Sequence, residues 1–335
     1  FRCYWAAEFV KRNWGLYFDN SFPHACKDML TSSAYEIPGL GIQPSANIWA
    51  QRDYHRRIWN IHREFGAKYN MRPLSMVHMT NCNVIPFLTW SDATLDLEWF
   101  YGPEAQQSKY SPEMLRAQSG GRQTGCYPTV LAWVQGTKNA KEARLANRTR
   151  LGVMAVHELK PNFVTFFRSM YEMGYGKPEC QVFNYWDENY PVKASQPEAK
   201  TLLLKRGSEL LLLVCTWNKA PASAEFVFDT KALGVSPTQA EEAEPESAAL
   251  QAEIEKLRKT YEDAKAALEK VKKNGKEDAV KKAEEALANA AKLLEAPESL
   301  VETVKAACQP VSYDAASAKL TVPLEAYGVR LIKVK

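Results

Sequence analysis

The sequence lacks the features that mark zinc-binding scaffolds, disulfide-rich domains, membrane proteins and nucleic-acid-binding proteins. Its seven cysteines are scattered, odd in number and never arranged as C-x-x-C, so we expect mostly buried free thiols and no metal site. No apolar run reaches the roughly 20 residues of a membrane helix, because "LLLKRGSELLLLVC" is interrupted by charged residues and a glycine. No basic block is interleaved with aromatics, so nucleic acid is not an expected partner, and we expect no cofactor.

Apolar and aromatic residues are plentiful. The 335 residues are 46% apolar and 24% charged, with a net charge of +4, which is typical of a globular protein with room for two domains, or for one large barrel with an appendage. Nine Trp, fifteen Tyr and thirteen Phe are concentrated before residue 200. Such rings either fill a large core or offer surfaces on which sugars stack.

Residues 1–178 alternate short apolar runs with helical patterns. The predicted strands are "GLYFD" (15–19), "PLSMVHMT" (73–80), "PFLTWSD" (86–92), "TVLAWV" (129–134) and "LGVMAVHE" (151–158). Between the first two, Tyr54, Ile58, Ile61 and Phe65 recur on one face of a predicted helix. Alternation of strands and helices predicts a parallel sheet covered by helices, an α/β fold.

The pattern changes near residue 180. Residues 179–240 and 298–335 contain short apolar runs separated by turn signals such as Arg206-Gly207, which predict an antiparallel β-sandwich. Residues 245–297 instead repeat apolar residues at steps of four and three on both sides of Asn274-Gly275, up to Pro297. This spacing predicts an inserted, coiled-coil-like helical hairpin that ends at Pro297. The hairpin is either an insertion in a loop of the sandwich or, over residues 246–296, a docking arm for a protein partner.

Several of these segments resemble a known enzyme class. "GLYFDNSFP", "SMVHMTN", "FLTWSDATLDLEWFYGPE" and "YSPEMLRAQSGGRQTGCYPTVLAWV" resemble the later half of glycoside-hydrolase-like (β/α)8 barrels, in particular the family-123-like glycoside hydrolase domain proteins. "LVCTWN" and "AYGVRL" resemble strands of the β-sandwich that follows such barrels. The resemblance implies the C-terminal part of a TIM-type barrel, about strands four to eight, followed by that sandwich. Because a barrel lacking three strands has two open edges, we expect the other strands upstream in a longer polypeptide or in a partner chain.

The resemblance also implies a two-carboxylate mechanism. If "GLYFD" is strand four and "PFLTWSD" strand six, Asp19 is the expected nucleophile and Asp92 the expected acid/base, with Glu98 in reserve. Two alternatives remain open, since Asp-Asn-Ser before Pro23 is also good turn chemistry and Ser91-Asp92 also suits a helix N-cap. Asp92, Asp96 and Glu98 lack regular metal-ligand spacing, so we expect no metal.

Further residues near the predicted strand ends are candidate contacts to a carbohydrate substrate. These are His24, Trp49, His78, Trp90, Asp96, Arg122, His157 and Glu158. Core packing of the tryptophans, burial of the histidines and a structural ion pair of Arg122 are the alternatives. Two functions follow. One is a glycoside hydrolase acting on a complex polysaccharide, and the other is a catalytically inactive, barrel-derived interaction protein that docks partners through the hairpin.

Overall fold

The structure is a computed structural model that describes residues 2–30, 33–78, 84–96, 98, 102–119, 125–131, 136, 140–162, 167–243, 248–274, 277–307 and 309–335. The chain divides into two compact units. The first comprises Phe1–Tyr101, Tyr110–Ala132 and His157–Val164, and the second comprises Gly102–Lys109, Trp133–Val156 and Thr165–Lys335. No helix in the described part of the chain is both long and apolar enough to cross a membrane.

The first unit is built around a parallel sheet. Its helices are α1 (Arg2–Val10), α2 (Ile48–Tyr69), α3 (Ile85–Leu88) and α4 (Pro112–Ser119). Its strands are β1 (Leu16–Phe18), β2 (Ala25–Cys26), β3 (Tyr35–Ile37), β4 (Gly41–Gln43), β5 (Ser45–Ala46), β6 (Ser75–His78), β7 (Ala93–Asp96), β8 (Tyr127–Leu131) and β9 (Lys160–Asn162). Five of them form one sheet in the order β1-β6-β7-β8-β9, and every neighbouring pair is parallel. All their carboxyl ends therefore lie at one edge of the sheet and all their amino ends at the other.

Helix α2 lies in the connection between β1 and β6, and one of its faces is buried. Its residues His55, Ile58 and His62 are buried, at the spacing of one helical face. The helix ends at Asn70, whose left-handed φ of 54° lets the Met71 amide donate to the Gly66 carbonyl at 2.8 Å. A side chain at Gly66 would lie 2.9 Å from the Met71 carbonyl oxygen, so only glycine fits where the chain turns back.

The second unit contains two antiparallel sheets and five α-helices in its described residues. The helices are α5 (Ala140–Val156), α6 (Arg168–Glu172), α7 (Thr230–Leu233), α8 (Ala248–Asn274) and α9 (Glu277–Ala307). The strands are β10 (Gln181–Asn184), β11 (Val192–Ala194), β12 (Ala199–Arg206), β13 (Glu209–Thr216), β14 (Ala222–Phe228), β15 (Ala240–Glu242), β16 (Ser312–Asp314), β17 (Lys319–Leu324) and β18 (Val329–Val334). The sheet orders are β10-β12-β13-β18-β15 and β11-β14-β17-β16. The fold is thus mixed α/β with several antiparallel sheets.

The two antiparallel sheets share one apolar core. Leu203 and Leu212 from the first sheet and Phe226 and Val322 from the second are fully buried in the same cluster. Along β14 the buried residues alternate with partly or fully exposed ones, as expected for a strand with one face in a core. Strands β12 and β13 are instead almost continuously apolar, and α5 packs against both. Burial on both faces explains their unbroken leucine runs.

Helices α8 and α9 pack against each other. Ile254 and Leu294 are buried between the helices, in a seam of apolar residues at the predicted steps of four and three, and Leu268 and Ala290 are buried as well. The prediction that the hairpin ends at Pro297 is wrong, because α9 continues through this residue to Ala307. Pro297 is buried, and Val301 one turn later packs on the same cluster, so apolar contacts continue where the proline removes a backbone hydrogen bond.

Two predicted strands of the first region are wrong. Residues 85–88 form α3, and the strand begins only at Ala93, after the predicted segment 86–92 has ended. Residues 151–156 are the end of α5, and the last parallel strand is Lys160–Asn162. Both segments are short apolar runs, which periodicity alone does not assign to a strand or to a buried helix. Val153–Val156 are at most 2% exposed, which explains why the end of this helix shows no polar face.

Candidate active site

Asp19 lies at the carboxyl end of β1, where the chain turns sharply. Asn20 has a left-handed φ of 50°, and its amide donates to Asp19 Oδ1 at 3.0 Å. The Ser21 amide donates to the His78 carbonyl at 2.9 Å, which ties the turn to the end of β6. The turn chemistry read from Asp-Asn-Ser is therefore present. It fixes the Asp19 carboxylate beside the last residue of the neighbouring strand.

His78 joins two carboxylates at this edge. Its Nδ1 lies 2.8 Å from Asp19 Oδ1, and its Nε2 lies 3.0 Å from Glu98 Oε2. The Tyr17 hydroxyl lies 3.1 Å from Asp19 Oδ1 and 3.0 Å from His78 Nδ1. The His78 side chain is 4% exposed, whereas those of Asp19 and Glu98 are 60% and 44% exposed. We call Tyr17, Asp19, His78 and Glu98 the carboxylate–histidine cluster.

The charges of the cluster follow from these contacts. The hydrogen bond from His78, with others from Tyr17 and the Asn20 amide, holds the pKa of Asp19 below its usual range. Burial, together with the hydrogen bond to Asp19, raises the pKa of Tyr17 to about 12. At neutral pH, Asp19 is therefore ionised and Tyr17 is a donor. The hydrogen bonds that Asp19 accepts in the described structure all use Oδ1, which leaves Oδ2 without a partner among the described residues.

A proton lies between His78 and Glu98 in either protonation state of the ring. If Nδ1–H of a neutral ring donates to Asp19, Nε2 is an acceptor, and the 3.0 Å contact requires a protonated Glu98. If the ring is protonated, Nε2–H donates to an ionised Glu98. Both cases place one proton in the hydrogen bond between His78 Nε2 and Glu98 Oε2.

Asp92 lies at the opposite edge of the sheet, so its predicted position is wrong. It precedes β7, its Oδ2 accepts from the Ser75 amide at 2.8 Å and hydroxyl at 3.3 Å, and its own amide donates to the Ser75 carbonyl. Ser75 begins β6, so these bonds lie at the amino ends of the strands. The error follows from the misplaced strand, because a strand beginning at Ala93 has Asp92 at its start. Glu98 takes the position beside Asp19 that was predicted for Asp92.

The other predicted site residues lie in several places. Asp96 ends β7 and is 2% exposed, at the same edge as the cluster. His24 packs against Phe22 with ring centroids 3.9 Å apart, and Trp49 is 71% exposed near the start of α2. His157 and Glu158 are buried and follow α5 rather than a strand. Arg122 lies outside the described residues.

Trp90 lies before β7, on the side of Asp92. Its ring packs edge-on against Trp59 of α2, with centroids 5.5 Å apart. It is therefore not at the edge that carries the cluster. The structure brings together Asp19, His78 and Glu98 from the predicted set and adds Tyr17. Tyr17 was missed, although it lies two residues before Asp19 on the same face of the strand, a signal that was available.

Among the described residues, no group of three or more His, Cys, Asp or Glu side chains is arranged to hold a metal ion. His78 already contacts a carboxylate through each ring nitrogen. The cluster is thus arranged for hydrogen bonding and proton transfer.

Comparisons with known proteins match the second unit to a glycoside hydrolase family. Residues 171–272 match the family model for the glycoside hydrolase 123, C-terminal domain, which confirms the resemblance over these residues. A search of curated proteins finds no match.

Among solved structures, the maltogenic alpha-amylase AmyB from Thermotoga neapolitana matches with 11% identity and a TM-score of 0.33, over 71% of this chain and 73% of that one. The alpha-amylase from H. orenii matches with 8% identity and a TM-score of 0.32, over 93% of this chain and 72% of that one. Scores this low do not establish a common fold.

Proposed function

We propose that the protein is a glycoside hydrolase that acts on a complex polysaccharide by a two-carboxylate mechanism. The observation that carries the proposal is the match of residues 171–272 to the C-terminal domain of a glycoside hydrolase family. The carboxylate–histidine cluster supports it, because Asp19 and Glu98 are exposed carboxylates on either side of one buried imidazole. Hydrolysis of a glycosidic bond requires two such groups, one ionised and one protonated.

In this proposal, Asp19 is the nucleophile and Glu98 the general acid and base. Three hydrogen-bond donors at Oδ1 keep the Asp19 carboxylate ionised and fixed, while Oδ2 has no described partner and faces the reaction. Glu98 Oε2 shares a proton with His78 Nε2 and delivers it to the leaving oxygen. His78 is a positioning residue that orients both carboxylates. His24, Trp49 and Asp96 remain proposed substrate contacts.

The parallel sheet fits a part of a TIM-type barrel. Its five strands follow chain order, and β1 and β9 each have one side without a partner strand among the described residues. We propose that further parallel strands, from the same polypeptide or from a partner chain, continue the sheet beyond β1, and that the antiparallel sheets form the β-sandwich that follows the barrel. Asp19 and Glu98 would then lie at the barrel mouth, where such enzymes carry their chemistry.

Kinetics with aryl glycosides test the roles of the two carboxylates. The panel covers several sugars, each with a poor phenol leaving group and with the activated 2,4-dinitrophenol. We expect Glu98→Gln to lower kcat/KM about 10²- to 10⁴-fold for the poor leaving groups, and much less for the activated one, which leaves without a proton. Asp19→Asn should abolish turnover of both.

Asp53→Asn is the matched control, because Asp53 is an exposed carboxylate on α2 that contacts only neighbouring arginines in the described structure. Its kinetics should equal those of the unmodified chain. Full activity of Asp19→Asn, or an equal loss of Glu98→Gln on both leaving groups, would refute the assigned roles. Circular dichroism of each variant verifies that it is folded.

The second candidate is an interaction protein that docks a protein partner through the hairpin. The observation that favours it is the length of α8 and α9, whose described side chains are mostly exposed, including Leu293 at 59%. Removal of residues 248–307 and closure with a short glycine-serine linker should then abolish a stable assembly measured by light scattering. An unchanged assembly state with intact glycosidase activity would leave only the first proposal.

A further inference from the structure

A pocket of about 400 Å³ opens in the first unit, at the edge of the parallel sheet opposite to the carboxylate–histidine cluster. The C-terminal half of α2, the segment 71–74 and Asp92 line it. This size is within the range of small-molecule sites, about 300–1,000 Å³. No part of the proposed catalytic machinery lines this pocket, so it requires an explanation of its own.

The inner wall of the pocket holds a buried histidine with unused hydrogen-bonding capacity. His62 is 5% exposed, and neither of its ring nitrogens has a hydrogen-bond partner among the described residues. Burial lowers its pKa, and the opposing effect of Asp92 is smaller, so the ring is neutral and offers one donor and one acceptor. Buried polar groups are normally satisfied. Both nitrogens lie beneath the pocket surface, and a rotation of the ring toward the pocket would let a ligand hydroxyl group pair with one of them.

Asp92 adds an acceptor on the same wall. Its Oδ2 is held by the amide and hydroxyl of Ser75, whereas Oδ1 accepts no hydrogen bond from the described residues. The carboxylate is thus fixed with one oxygen available. Together with one nitrogen of a rotated His62 ring, it presents two polar groups to neighbouring hydroxyl groups of a sugar ring.

Two arginines lie at the outer part of the pocket. Arg63 and Arg72 are both exposed, and neither forms an ion pair with a described carboxylate. The Arg63 guanidinium stacks on Trp59 at 4.7 Å, which holds it at the pocket wall. Two guanidinium groups against the one carboxylate of Asp92 give the pocket an excess of positive charge, which favours an anionic group on the ligand.

We propose that this pocket binds a hydroxylated carboxylate of about the size of one sugar unit, with its carboxylate at Arg63 and Arg72 and its hydroxyls at His62 and Asp92. The Trp59 and Leu74 side chains supply an apolar wall for the carbon skeleton. The proposal does not depend on glycoside hydrolysis, because it uses neither Asp19 nor Glu98. It assigns a recognition site to the amino-end edge of the sheet.

Isothermal titration calorimetry of the full chain with glucuronate, glucose and acetate tests the proposal. Glucuronate carries both features, glucose has only the hydroxyls, and acetate has only the carboxylate. We expect one glucuronate per chain, with glucose and acetate at least about tenfold weaker. Arg72→Gln and His62→Phe should each weaken glucuronate about tenfold or more. Arg72 is exposed, so its variant keeps the fold even if the change at buried His62 does not.

Asp19→Asn separates this site from the catalytic one. It should leave the glucuronate affinity unchanged, whatever it does to turnover. The proposal is overturned if glucuronate does not bind, if acetate or glucose binds equally well, or if the folded Arg72→Gln variant binds as tightly as the unmodified chain. Loss of binding in Asp19→Asn with retention in both pocket variants would place the ligand at the carboxylate–histidine cluster and also overturn it.

Discussion

Replacing Gly152 by alanine is expected to destabilise the second unit, although alanine is the better helix former. Gly152 lies in α5 and is buried against Val329 of β18. A Cβ at this position would contact Val329 Cγ2 too closely, lie 2.6 Å from its Cγ1 and lie 3.1 Å from its Cβ. Rotation of the valine about χ1 moves its methyl groups but not its Cβ, so it does not clear the overlap.

The expected size follows from two opposing effects. Alanine at an unhindered helical position is favoured over glycine by about 0.8–1 kcal/mol. Overpacking of a filled core costs about 1–3 kcal/mol, and β18 cannot shift freely because Val329 pairs with Cys215 in the centre of its sheet. Because β18 is held in its sheet, we expect an overpacking cost in the upper part of that range, about 2–3 kcal/mol, and therefore a net loss of about 1–2 kcal/mol in the free energy of unfolding.

Urea unfolding followed by circular dichroism measures this change. Val329→Ala is the matched partner, because it leaves a cavity by itself but makes room for the new methyl group. The double variant should be more stable than the sum of the single changes by about 1 kcal/mol or more. A Gly152→Ala variant as stable as the unmodified chain, or strictly additive changes in the double variant, would refute the reasoning.

Three further predictions concern the carboxylate–histidine cluster, a buried thiol and the hairpin. His78→Phe should raise the pKa of Asp19 toward its ordinary value of about 3.9, because the hydrogen bond from His78 is the largest cause of the lowered pKa. NMR titration of the Asp19 carboxyl carbon measures this pKa, and an unchanged midpoint would contradict the prediction. Since the folded pKa of Asp19 is depressed, its contribution to stability is present above the unfolded pKa and is lost as pH falls through the folded one. Burial raises the pKa of Cys126 from 9.0 to about 11. At pH 8 its thiolate fraction is therefore about 100-fold lower than that of an unperturbed cysteine. Ellman's reagent should modify the partly exposed Cys26 before Cys126, which mass spectrometry measures. Pro297→Ala restores a backbone donor inside α9 and should slow amide hydrogen exchange in the following turn, whereas unchanged exchange rates would show that the proline costs the helix nothing.

The strands and helices with a regular pattern were predictable from the sequence. Strands β1 and β6 lie within the predicted segments 15–19 and 73–80, and the apolar steps of the hairpin place Ile254 and Leu294 in its seam. These patterns are local, because the residues that a helix or strand buries recur along the sequence at the period of that element. The extension of α9 beyond Pro297 was not predictable, because it depends on apolar contacts that continue past the proline and outweigh its local penalty.

The main error in the predicted site came from the assumed position of one strand, β7. Asp19 was named because the turn chemistry and the strand before it are both local signals. The contacts of His78 with Asp19 and Glu98 were not predicted. His78 and Asp19 are 59 positions apart in the sequence, and the register of β1 on β6 brings them together. Tyr17 was omitted although its position two residues before Asp19 on the same strand is a local signal.

The error at Asp92 has a consequence for how the two proposals relate. In a parallel sheet, all strands share one direction, so placing a residue at the start or the end of a strand decides which edge it occupies. Moving the start of β7 to Ala93 transfers Asp92 and Trp90 from the edge of the carboxylate–histidine cluster to that of the pocket beside His62. The residues first grouped as one active site thus divide into two groups at opposite ends of the strands. Because the groups share no side chain, substitutions in one should leave the other unchanged, and loss of both functions from a single folded variant would mean that the two sites are one.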